Sequence, residues 1–123
     1  MSKTASEAAQ EAADAIRALN YATLPHEGAP GLEFPSDVYD VIGSLKNALQ
    51  RMPQALQQCS LWLGEQHAAG KVGHDSAHSG GDAGADVRMT RHWMDAAGDV
   101  LAEVAKMLND AHSASAHLTG KGQ

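Results

Sequence analysis

The sequence predicts an all-α fold: an antiparallel hairpin of two long helices, preceded by a short N-terminal helix. Three observations carry this. Val38, Ile42, Leu45, Leu49, Met52, Leu56, Cys59 and Leu63 follow one another at alternating spacings of four and three, and only a helix puts such positions on one face. Trp93, Ala97, Val100, Val104, Met107, Ala111, Ala114 and Leu118 repeat the rhythm. Between the two runs lies a stretch of glycine and small polar residues with almost nothing to bury. Two helices of similar length joined by one connection fold back on each other.

Composition agrees. With 123 residues there is room for one domain and one modest core. The chain is 43% hydrophobic but only 4% aromatic, so alanine, leucine, valine and methionine must fill that core. Fifteen acidic residues against nine basic ones give a net charge of −6, which repels phosphate backbones and anionic membranes. Lys46, Arg51, Lys71, Arg88, Arg91 and Lys106 are scattered rather than gathered into a basic patch. The charge balance therefore argues against general nucleic-acid or anionic-membrane binding, and no nucleic-acid or membrane partner is expected. A lone cysteine, Cys59, forms no intrachain disulfide; on the seam it reads as a small buried hydrophobe. The first residues lack the apolar core of a signal peptide, and no run reaches transmembrane length, so a cytoplasmic location is expected, with leaderless export still open.

Taken in order, the first helix spans about residues 4–20. Thr4-Ala-Ser-Glu7 fits a capping box, and Ala5, Ala9, Ala12, Ile16 and Leu19 recur at helical spacing. Only Ile16 and Leu19 bring much apolar area, so this helix must dock or fray. The segment to Pro35 is broken by Pro25, Gly28, Pro30 and Gly31 and reads as a loop pinned by Leu24, Leu32 and Phe34. A second helix over 36–66 follows, with Ser36 as cap, Asp37 and Asp40 at the positive end of its dipole, and Phe34 placed to staple against Val41. Pro53 removes a backbone bond in mid-helix. Because the apolar register continues across it, one helix kinked at Pro53 is expected rather than two. Residues 67–85 form a flexible connection, and the third helix runs over 86–118. There Met94, Leu101 and Leu108 lie one residue round from the seam, giving a face wider than two strands need.

Chemistry-bearing motifs are sparse. His74-Asp-Ser-Ala-His78 has a His-x-x-x-His spacing that would serve a metal on a helix, with His67, Asp75 and Asp82 nearby. Gly73, Gly80 and Gly81 flank it, so such a loop site is poorly preorganised and no metal site is assigned. Cys59 has no evident base, and neither a nucleophile elbow nor a phosphate loop occurs. No catalytic residue, no cofactor and no enzymatic activity are expected.

Two resemblances follow from particular residues. Trp62-Leu63-Gly64, near the end of one long helix with an antiparallel partner, resembles the Trp-x-Gly helical-hairpin proteins of type VII secretion. In that family the triplet forms the turn itself and a C-terminal Tyr-x-x-x-Asp/Glu signal follows; here about twenty residues intervene and the signal is missing. A closer likeness, over Ala18-Leu-Asn-Tyr-Ala-Thr23, Pro35-Ser-Asp-Val-Tyr-Asp-Val-Ile-Gly-Ser-Leu45 and Arg51-Met-Pro-Gln-Ala-Leu56, is to small helical proteins of actinobacterial plasmids and integrative elements. It implies a helical bundle and brings no functional residues.

The function expected is that of a non-enzymatic interaction or structural module. Its partner is a protein, either a second copy in a dimeric four-helix bundle or another helical protein. The expected interaction face is Val38, Ile42, Leu45, Leu49, Met52, Leu56 and Leu63 of one helix with Trp93, Met94, Leu101 and Leu108 of the other. The alternatives are an exported Trp-x-Gly-type effector, a loop-histidine metal binder, and a monomer whose first helix and loop cover the face.

Overall fold

The structure is a computed structural model that describes residues 2–25, 31–73 and 82–121. It holds three helices, α1 (Ala5–Ala22), α2 (Pro35–Ala68) and α3 (Ala83–Ser115), and no strand among the described residues. The chain divides into two compact units, one of Met1–Tyr39 with Ser115–Gln123 and one of Asp40–Ala114.

In the first unit, α1 starts as its sequence dictates. Thr4 Oγ1 accepts from the Glu7 amide at 3.1 Å and satisfies one orphan donor of the first turn. The helix ends at Thr23, whose amide and hydroxyl both donate to the Leu19 carbonyl at 3.0 Å. No residue of α1 is buried, and Ile16 is exposed. Gly31 lies so close to the Ala22 carbonyl that a methyl group there would overlap it, so this turn admits only glycine. Ser36 does not cap α2. Pro35 is already helical, in the first position that proline favours. Asp37, two residues on, accepts from the Glu33 and Phe34 amides at 2.7 and 2.8 Å. Those two bonds hold the Asp37 carboxyl below its usual pKa of 3.8, the Phe34 bond contributing most. Phe34 itself stays exposed.

The second unit is the hairpin. α2 runs through Pro53 unbroken and closes on Gly70, whose φ of 73° lets Lys71 donate back to Gln66 and Gly70 to His67. α3 begins three residues earlier than expected because Asp82 caps it: Asp82 Oδ1 accepts from the Ala85 amide at 3.2 Å. It also ends three residues sooner, at Ser115.

α2 and α3 pack against each other, and their antiparallel register can be read from glycines. A methyl on Gly98 would sit 3.7 Å from Pro53 Cα and Cβ, and one on Gly43 would lie 2.8 Å from His112 Nε2. One on Gly64 would overlap the Arg91 guanidinium, and one on Gly84 would lie 3.4 Å from His67 Nε2. Each step forward along α2 is thus matched by a step back along α3. Ser60 is fully buried on this line, where its Oγ accepts from Arg91 Nε at 3.2 Å. Gly98, Ala105 and Val87 are buried with it.

The contact line corrects the expected seam. Met52 and Cys59 are exposed, and Pro53 and Ser60 stand one residue on in their place. On α3, Trp93, Val100 and Met107 are exposed, whereas Met94, Leu101 and Leu108 are half-buried beside the contact. In the first unit, Val38 is exposed too. The reason is steric. Helices approach most closely where side chains are smallest, so Ser60, Gly98 and Ala105 hold the line, and where Arg91 and His112 enter it they stand opposite Gly64 and Gly43.

Candidate apolar interface

Around each long helix the residues fall into columns seven apart, successive columns turned by about 50°. On α2 the contact column is Lys46, Pro53 and Ser60, and next to it come Ile42, Leu49, Leu56 and Leu63, all half-buried. A further turn brings Leu45, Met52 and Cys59, then Val41, Ala48, Ala55 and Trp62. On α3 the contact column is Arg91, Gly98, Ala105 and His112, followed by Val87, Met94, Leu101 and Leu108. Beyond those lie Ala97, Val104 and Ala111, then Trp93, Val100, Met107 and Ala114.

Because the helices are antiparallel, columns turned the same way from each contact line meet on the same face of the hairpin. That face carries no charged side chain in its outer two columns from residue 41 to 62 or from 93 to 114. The opposite face differs. There Gln57, Asp95, Asp99 and Arg91, with Leu61 and Met94 beside them, line a groove of about 410 Å³, and Gln50, Lys106, Asn109 and Asp110 line another further along. Charged side chains therefore gather on this face, around the exposed Leu61.

The apolar face is largely open to water. Met52, Trp62, Trp93, Val100 and Met107 are 46, 61, 62, 62 and 67% exposed, which leaves on the order of 600 Å² of apolar side chain in water. That is the upper end of what monomeric proteins tolerate. Of the expected face, Ile42, Leu49, Leu56, Leu63, Met94, Leu101 and Leu108 run half-buried along the middle of this surface, Leu45 and Met52 flank them, and Trp93 stands at the outer margin, where its indole N–H donates to Met89 Sδ at 3.1 Å. The expected face left out Val100, Met107, Ala48 and Ala55, although Val100 and Met107 belong to the periodic run of the third helix and a seven-residue repeat beside the leucines marks Ala48 and Ala55.

Trp62-Leu63-Gly64 is helical, and the chain leaves α2 only after Ala68. Among the described residues no group of three or more His, Cys, Asp or Glu side chains could hold a metal. His74, Asp75 and His78 lie outside those residues. No described helix is long and apolar enough to cross a membrane. The fold and this surface define an all-α helical hairpin with one open apolar face. The chain matches no protein-family model, no curated protein and no solved structure.

Proposed function

We propose that the protein is a non-enzymatic helical interaction module whose working surface is the apolar face of the α2–α3 hairpin, with a second copy of the chain as its first partner. The observation that carries this is the width of the apolar arc. One helix–helix contact needs two columns, and each long helix here has two more beyond them. The third column is turned about 100° from the contact column, which suits the right-angle arrangement of neighbours in a four-helix bundle. The half-buried leucines of the second column would then point to the bundle's centre. Counting those leucines and the exposed alanines, the open surface approaches the roughly 800 Å² per partner of a stable interface. Acidic groups on the opposite face would stay in water, so the net charge of −6 opposes assembly only weakly. Light scattering after size exclusion tests the reading with wild type and Met52→Glu. Wild type runs as a dimer, and the glutamate, buried without a partner charge, returns it to a monomer. A Met52→Glu protein that stays dimeric would remove this face from the reading.

A second reading, an exported Trp-x-Gly-type hairpin, rests on the exposed Trp62 in its triplet. It requires accumulation in culture filtrate together with a cotranscribed partner. Retention in the cell pellet, consistent with a cytoplasmic module, counts against it.

A further inference from the structure

We infer that the two hairpins stack with the Ala68 end of α2 and the Ala83 end of α3 at the same end in both copies, the two-fold axis running along the helices, so that α2 of each copy lies against α3 of the other. The inference rests on the dimer reading and fixes its geometry. Face-to-face hairpins related by a two-fold have two choices: connections together, with α2 on α3, or connections at opposite ends, with α2 on α2 and α3 on α3. The first choice has no free sliding parameter, because an axis along the helices preserves the level of every residue. The register within one hairpin, set by Pro53 against Gly98 and Gly43 against His112, therefore also sets the register between copies.

In that register, size alternates across the interface. The inner column of α2 carries the larger side chains Leu45, Met52 and Cys59, and that of α3 carries the smaller Ala97, Val104 and Ala111. Met52 comes level with the gap between Ala97 and Val104, and Leu45 with the gap between Val104 and Ala111. The outer columns reverse the sizes. Ala48 falls between Val100 and Met107, and Ala55 between Trp93 and Val100. Over these positions large meets small in both columns, as knobs-into-holes packing requires, and only at the connection end does large meet large. Trp62 and Trp93 of opposite copies come level at the connection end, where both are more than half exposed in the single chain and the Trp93 indole leans toward Met89 on the outer side of α3. Stacking with the connections apart would set Ala97, Val104 and Ala111 against their own equivalents and leave α3 facing α3 with little to interlock.

Paired cysteines decide between the two. In a Cys59→Ser background, Ala55→Cys with Val100→Cys places thiols on facing α2 and α3 of different copies. Mild oxidation, or a short bismaleimide, should then give a covalent dimer on a denaturing gel, whereas either cysteine alone should not. Ala48→Cys with Met107→Cys repeats the test one heptad away, and circular dichroism under reducing conditions checks that each variant is folded. Light scattering of the reduced proteins reports assembly separately. A dimer that cross-links through Ala55→Cys alone, or through neither pair, overturns the same-end arrangement while leaving the dimer standing. A monomer under reducing conditions in the Cys59→Ser protein overturns the dimer itself.

Discussion

Replacing Gly98 by alanine should stabilise the protein, and the size of the gain can be worked from the hairpin contact. Gly98 is buried in the middle of α3, where glycine costs about 1 kcal/mol relative to alanine through backbone freedom. The added methyl would meet Pro53 Cα and Cβ at 3.7 Å, an ordinary van der Waals distance, so no strain offsets the gain. An increase of about 1 kcal/mol in a chain of this size raises the melting temperature by roughly 3–6 °C. Gly64→Ala is the control. It has the same propensity gain, but its methyl would overlap the Arg91 guanidinium, displace it, and break the bond to buried Ser60. That loss, about 0.5–1.5 kcal/mol, cancels the gain. Thermal melts by circular dichroism should therefore separate the two variants by about 1 kcal/mol. Equal shifts for both would show that α3 does not lie on α2 in this register, and a lower melt for Gly98→Ala would show that the helices are closer than described.

Three further outcomes are expected. Pro53→Ala should raise the melting temperature, because α2 is continuous and alanine restores a backbone donor and propensity worth up to about 3 kcal/mol; a lower melt would mean that proline shapes the contact. Leu56→Ala should cost only about 1–2 kcal/mol in a lone hairpin, where Leu56 is half-buried, but about 2–5 kcal/mol if a partner covers it. In the second case the melt also shifts with protein concentration. Asp37 has its folded pKa below the unfolded value of 3.8. The stability it adds is present above about pH 4 and is lost as pH falls through the folded value. Asp37→Asn should therefore flatten part of the acid limb of a denaturation titration, and an unchanged limb would contradict the cap.

The three helices, the hairpin and the Thr4 cap were legible in the sequence, because helical periodicity and capping chemistry are local. The register was not. An apolar arc four columns wide lets a seam be drawn through either of two positions, and bulk favours the one through Met52, Cys59, Trp93 and Val100. Close packing instead chose Pro53, Ser60, Gly98 and Ala105, whose small volume and Arg91–Ser60 bond become informative only once the partner helix is in place. The Asp37 cap was hidden for a related reason: the acceptor lies inside the helix and reaches back to amides before it. Asp82 and Gly70 flank a glycine-rich stretch in which several residues could have ended a helix. The exposed apolar face was partly visible, since the seam set aside by the hairpin contact is the surface now left open.

That surface carries the account, and mass is its most direct test. Light scattering coupled to size exclusion, run from low to high micromolar concentration, should give twice the 12.9 kDa chain mass for wild type. A constant 12.9 kDa across the range would contradict the claim that the apolar face is covered by a second copy.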